Sequence, residues 1–195
     1  DISGFDGKFF GIDDDEARAM DPHLRLMLEL AWQALEDAGA AGDTLAGSRT
    51  GVYLGLGAQN SEYANAQLED SRQLSAHTIS GSFHSLMPGR LSYLLDLRGP
   101  SLVVDAACAS GLVAVHMACQ ALRSGECETA LAGAVNLILS PMVSSAININ
   151  GLLSSSGHSR SFDASADGFV RGEGGAMLVL KRQSDAIADG DAIWA

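Results

Sequence analysis

Lysine is almost missing from this chain. Lys8 and Lys181 are its two lysines, and with the singly placed arginines they face 24 acidic residues, for a net charge of −12. Binding a phosphate backbone needs clustered Lys and Arg, so nucleic-acid binding is excluded as the main function. An acidic protein partner would need a local basic patch. Cysteine is scarce too. Three residues, an odd number without Cys-x-x-Cys spacing, exclude a disulfide framework and a zinc site, and a reducing cytoplasm is expected. No apolar run reaches the roughly 18 to 20 residues that span a bilayer, so no membrane helix is expected. No basic stretch leading into an apolar one opens the chain, so no signal peptide is expected either.

What is present suits a folded domain. The 195 residues are 47% hydrophobic and 18% charged, enough for one domain with a sizeable core. The opening Asp1-Ile2-Ser3 and the closing "DAIWA", which reads as the start of a strand, lead us to expect a fragment of something longer. Neither an internal repeat nor a linker interrupts the chain.

Helices and strands alternate. In "MDPHLRLMLELAWQALEDAG", Asp21 is placed as an N-cap and Pro22 as the first helical residue. Leu24, Met27, Leu28, Ala31, Leu35 and Ala38 share one face, and Gly39 ends the helix. "RTGVYLGLG" from Arg49 reads as a strand apolar on both faces. Ala58 to Leu74 is polar and weakly patterned, a surface excursion. Turns are expected at Pro88-Gly89 and Gly99-Pro100. The strand-like Val103-Val104 then gives way to an apolar helix that must be buried, stopped at Ser124-Gly125. "TALAGAVNLIL" from Thr129 is a strand closed by Ser140-Pro141, and the following Ser-, Gly- and Asp-rich stretch is loop. A strand from Ala176 and a short helix complete an α/β pattern whose sheet is covered on both sides.

Cys108 admits two readings. A free cysteine is most often a small, buried hydrophobe. Here, however, it sits where a strand hands over to a helix, and free backbone N–H groups and the helix dipole favour an anion there. Ala106, Ala107, Ala109 and Gly111 around it are small and leave room for a substrate. The same N–H groups could hold the oxyanion of an acyl transfer. A nucleophile is the better reading.

Cys119 lies about three turns and ~16 Å further along, too far for a disulfide, and is read as core. Cys127 is read as loop or strand-start packing. A cysteine nucleophile needs a base or electrophilic partner, but His116 is about 12 Å along the helix and about 80° round it. His23 reads as a solvated residue at the start of a surface helix. His77, His84 and His158 lie in loop-like sequence and could approach only through the fold. "FDASADGFVRGEGGAM" has neither calcium-loop nor phosphate-loop spacing. It reads as a tight, hydrogen-bonded turn ahead of the strand from Ala176.

Taken together, three segments resemble the β-ketoacyl synthase (ketosynthase) domain of modular type I polyketide synthases. They are "FDGKFFGIDDDEARAMDPHLRLMLELAWQALEDAG", "GRLSYLLDLRGPSLVVDAACASGLVAVHMACQALRSGECETALAGAVNLILSP" and "SFDASADGFVRGEGGAMLVLKR". The resemblance covers nearly the whole chain, in order. It implies an α/β, thiolase-like fold layered α-β-α-β-α, with residues 1–195 as the N-terminal half of one domain, ending before the family's catalytic histidines. It also implies a homodimer.

Cys108 matches the family's acyl-accepting cysteine. The implied reaction is a decarboxylative condensation with a malonyl-type extender on an acyl carrier protein. The carrier brings phosphopantetheine, and no metal or other bound cofactor is implied. Where the family favours Asp-Thr-Ala-Cys-Ser-Ser, this chain has Ala106 and Ala109, with Gly111 where a further Ser is usual. These smaller residues bear on substrate preference. A silent ketosynthase-like scaffold, a fatty-acid condensing enzyme and a cysteine hydrolase are the competing readings.

Overall fold

Four strands make one sheet, and the size of the side chains along them decides what packs on each face. The structure, a computed structural model, describes Ile2 and residues 4–57 and 62–195. Near the start, Phe5 and Phe10 stack with ring centroids 5.5 Å apart, and Phe9 meets Trp32 edge-on at 4.8 Å. The elements in order are α1 (Asp14–Ala19), α2 (Pro22–Asp37), β1 (Thr50–Gly55), α3 (Glu62–Glu69), α4 (Thr78–Ser82) and α5 (Met87–Leu94). They continue with β2 (Ser101–Val104), α6 (Ser110–Ser124), β3 (Thr129–Asn136), α7 (Pro141–Ile149), β4 (Gly174–Lys181) and α8 (Gln183–Asp189).

Strand order is β2-β1-β3-β4. β1 runs parallel to both neighbours, with Leu54 opposite Val103 and Gly133, and β4 runs antiparallel to β3, with Asn136 opposite Gly174. Successive side chains on a strand point to opposite faces. Val52, Leu54, Leu131 and Val135 therefore face the large core formed with Leu24, Met27, Leu28, Ala31 and Leu35 of α2 and Met87 and Leu91 of α5. Tyr53, Ala130 and Ala132 face Ala114, Ala118, Ala121 and Leu122 of α6. Alanine on both sides of this second contact lets the helix lie close to the strands. The expected double-sided cover is present.

The helix ends follow the sequence signals. The Asp21 side chain accepts the His23 N–H, Pro22 is the first residue of α2, and Gly39 beyond its end has φ +67°. α6 ends at Gly125 in the left-handed region, φ +77°. Among the described residues no helix is long and apolar enough to cross a membrane.

Five expectations need correction. Within the supposed polar excursion, Glu62–Glu69 form α3, held by the burial of Ala64 and Gln67 more than by pattern; Ala58–Ser61 lie outside the described residues. Pro88-Gly89 is not a turn but the first turn of α5, where a missing proline N–H removes no helical bond. The loop-like stretch after Ser140 begins with α7, whose N-cap Ser140 accepts the Met142 N–H at 3.2 Å. Within residues 1–195, α6 is buried on its sheet face alone: Leu112 is 79% exposed and His116 also faces outward. Residues 191–195 join no strand; Trp194 instead donates its indole N–H to Asp37 at 3.1 Å.

Candidate active site

β2 ends at Val104 and α6 begins at Ser110, so five residues, 105–109, make the turn between them. All five are exposed, Cys108 included. Ala107 adopts φ +51°, a left-handed conformation that costs an L-residue with a Cβ about 1–2 kcal/mol. Several hydrogen bonds hold it there. Asp105 Oδ1 accepts the Ala107 N–H at 3.0 Å. The Ser110 hydroxyl accepts the Ala106 N–H at 2.9 Å and donates to the Ala107 carbonyl at 2.6 Å. The Ala109 and Ser110 amides close back onto the Ala106 and Ala107 carbonyls, each at 3.1 Å.

The turn rests on the sheet through backbone contact. A Cβ placed on Gly55, the last residue of β1, would sit 2.5 Å from the Ser110 carbonyl carbon, and one on Gly111 would come 3.0 Å from Ala134 Cβ. Only small residues admit this approach. The N-cap Ala109 supplies no side-chain acceptor to the first turn of α6, so that turn has backbone donors to offer an anion. An exposed thiol, small neighbours and a rigid turn at a helix start can together present a sulfur to a thioester carbonyl.

The other cysteines differ. Cys119 is half-buried on α6, and Cys127 is fully buried just before β3. Burial pushes the Cys127 thiol above its ordinary value, against the pull of the neighbouring Tyr53 hydroxyl.

His23 is the clearest correction to the sequence reading. It is not solvated but wholly buried, with Nδ1 2.6 Å from Asp21 Oδ1 and Nε2 accepting the Leu137 N–H at 3.2 Å. The helix start it occupies faces the core, because α2 packs against the sheet along its whole length. His84 Nε2 stands 3.8 Å from Asp21 Oδ2, beyond hydrogen-bond range. Burial alone would raise the Asp21 carboxyl; the bond from His23 and the proximity of the two imidazoles more than offset that and hold it below the ordinary range. His77 Nδ1 is 4.0 Å from Glu16, His116 is exposed on α6, and His158 Nδ1 is 2.8 Å from the Ser156 carbonyl. Among the described residues, none of the contacts given above brings one of these five histidines to Cys108 as a base or electrophile.

The Ser- and Asp-rich loop is hydrogen-bonded as its composition suggested. Asp167 accepts the Ser154 and Ser155 hydroxyls at 2.7 and 2.9 Å and the Ser155 N–H at 3.1 Å. These bonds bring its carboxyl down to about 2. Glu173 accepts the Ile138 N–H at 2.6 Å, and Arg171 donates to Ser144 at 2.7 Å. Two residues with structural roles escaped the sequence reading. Ser110 ties the cysteine turn, and its placement as the first polar residue after Cys108 was the available signal. Glu62 accepts the Leu139 and Ser140 amides at 2.8 and 3.0 Å, across too much chain for any local pattern to reveal.

A cysteine-bearing turn at the edge of a mixed, doubly covered sheet fits the class of acyl-transferring condensing enzymes. The chain belongs to the β-ketoacyl synthase family: the model "Beta-ketoacyl synthase, N-terminal domain" matches residues 1–186. Two phenolphthiocerol/phthiocerol polyketide synthase proteins of Mycobacterium tuberculosis are similar to it over all 195 residues, one at 51% and the other at 52% identity. It covers 12% and 10% of those proteins. Among solved structures it matches the ketosynthase from module 6 of the bacillaene synthase of Bacillus subtilis with TM-score 0.84 and 39% identity, over 98% of this chain and 32% of that one. An oxazolomycin ketosynthase domain of Streptomyces albus gives TM-score 0.87 and 40% identity, over 98% and 34% of the two chains. The thiolase-like fold is therefore shared with ketosynthase domains. The chain spans about a tenth of the length of the curated relatives named and about a third of the solved domains.

Proposed function

We propose that residues 1–195 carry the acyl-accepting part of a ketosynthase domain in a modular polyketide synthase, with Cys108 as its nucleophile. The observation that carries this reading is an exposed Cys108 on a hydrogen-bonded turn directly before α6. The Cys108 sulfur attacks the thioester carbonyl of an acyl chain on the phosphopantetheine arm of an acyl carrier protein. The carrier thiol leaves, and the chain becomes a Cys108 thioester. A malonyl-type extender on a second carrier loses CO2, and the carbanion so formed attacks that thioester. The bond to sulfur breaks, the β-ketoacyl product leaves on the carrier, and Cys108 is regenerated. In this reading the phosphopantetheine belongs to the partner and enters as substrate, and the chain itself needs no metal.

The relatives' names support a polyketide over a fatty-acid pathway. The family resemblance supports a homodimer and a single domain completed by catalytic histidines beyond Ala195, and the few unpaired cysteines support a cytoplasmic setting. On that reading residues 1–195 by themselves do not catalyse the condensation.

Intact-mass analysis of the full-length polypeptide, incubated with the butyryl thioester of N-acetylcysteamine, tests the assignment. Wild type should gain one butyryl group, mapped to Cys108, and Cys108→Ala should gain none. A butyryl group retained in Cys108→Ala would overturn it. Robust β-ketoacyl formation by residues 1–195 alone would show that the decarboxylating residues lie within them.

A further inference from the structure

Within residues 1–195 the turn that presents Cys108 is not held by packing. Residues 105–109 are all exposed, and Ala106, Ala107 and Ala109 carry no polar side-chain atom. Yet Ala107 is kept at φ +51°, a conformation other residues leave readily for the right-handed or extended regions. A strained backbone persists only where its surroundings over-determine it. Here two side chains do so, one on each side of the cysteine.

Ser110 is 5% exposed, and its backbone is wedged against Gly55 of β1. Its hydroxyl uses both its capacities on the residues just before Cys108, accepting from Ala106 N–H and donating to the Ala107 carbonyl. Asp105 takes the remaining amide, Ala107 N–H. The peptide units at Ala106 and Ala107 are thus fixed to a buried anchor, and the direction of the Cys108 Cα–Cβ bond follows from them.

We infer that Ser110 and Asp105 are positioning residues for Cys108, holding the left-handed Ala107 so that the sulfur points at the acyl carbonyl. The inference rests on Cys108 being the nucleophile. The hydrogen bonds described for both side chains run to the backbone of Ala106 and Ala107. Their contribution is orientation, which a displacement of about 1 Å is enough to forfeit.

The test measures butyryl transfer from the N-acetylcysteamine thioester to the full-length polypeptide, by rapid quench and intact mass across thioester concentrations. Ser110→Ala should lower the maximal acylation rate about tenfold with the half-saturating concentration little changed, and Ser110→Thr, which keeps the hydroxyl, should restore most of it. Asp105→Ala should lower the rate several-fold, and it keeps the test decisive should Ser110→Ala not fold. Wild-type acylation in Ser110→Ala, or in Asp105→Ala, overturns the inference, as does a Ser110→Thr variant as slow as Ser110→Ala. Cys108→Ala run in parallel separates the two claims. Acylation surviving there removes the nucleophile itself, whereas acylation lost there but normal in Ser110→Ala removes only the positioning role.

Discussion

His23 Nε2 accepts the backbone N–H of Leu137 at 3.2 Å, joining the first turn of α2 to the residue that follows β3. An imidazole that accepts at one nitrogen and donates at the other carries its single proton on Nδ1, which faces Asp21 Oδ1 at 2.6 Å. Removing the ring leaves the buried Leu137 amide without its acceptor and takes from the Asp21 carboxylate its imidazole bond, leaving it the His23 backbone N–H at 2.8 Å. His23→Ala should therefore destabilise the fold by about 3 kcal/mol, read as a lower urea midpoint with unchanged slope. A loss under about 1 kcal/mol would mean that water replaces the imidazole.

Acid should release the Asp167 clamp. Its carboxyl is lowered to about 2 from an ordinary value of 3.8, chiefly by the Ser154 and Ser155 hydroxyls. A lowered carboxyl stabilises the folded loop at all pH values above its unfolded value, and that contribution disappears as pH falls from 3.8 through about 2. In an NMR titration the Ser155 and Ser156 amide shifts should move with a midpoint near 2, and Asp167→Asn should abolish the movement. A midpoint at the ordinary carboxylate value would mean that the clamp does not form in solution.

Gly55→Ala should damage the cysteine turn from a distance in sequence. The added Cβ falls 2.5 Å from the Ser110 carbonyl carbon and 2.6 Å from the Gly111 nitrogen, both backbone atoms with no rotamer to change. Overpacking of this kind costs about 1–3 kcal/mol, and α6 can relieve it only by lifting from the sheet. Thermal unfolding should show the loss, and acylation of Cys108 should slow in the same variant. Full stability with normal acylation would show that the contact is looser than described.

Alkylation should rank the cysteines. Cys108 is exposed, Cys119 is half-buried on α6, and Cys127 is wholly buried with its thiol pushed up by burial. Peptide mapping after brief iodoacetamide treatment should find Cys108 modified first and Cys127 last, the latter only on unfolding. Cys119 labelled as fast as Cys108 would argue against an activated thiol.

Local chemistry carried the sequence reading, and distance limited it. Asp21-Pro22, Gly39 and Gly125 mark helix ends through backbone conformation alone, so their roles were legible residue by residue. The apolar runs of β1 and β3 were equally plain, because a strand buried on both faces needs no partner to be recognised. α3 and α7 were not, since polar and small residues there become helical through contacts such as Glu62 with the Leu139 and Ser140 amides. His23 misled for the same reason: nothing near it in sequence announces Leu137. At the site, the strand-to-helix junction and small neighbours of Cys108 were visible in advance. The left-handed Ala107 and the hydroxyl of Ser110 that holds it were not, because no composition rule places an alanine there.

β3 and β4 are antiparallel neighbours, but residues 137–173 separate them instead of a tight hairpin. The two ends of that excursion are pinned together by Asn136 opposite Gly174 and by the Asn136 side-chain bond to the Gly172 carbonyl at 2.6 Å. Closing such a loop costs entropy that grows only with the logarithm of its length, about 0.6 kcal/mol for each doubling. Closure entropy therefore sets little limit on the length of the excursion; the bonds from Glu62 to the Leu139 and Ser140 amides and from Asp167 to Ser154 and Ser155 are what fix its shape above the strands.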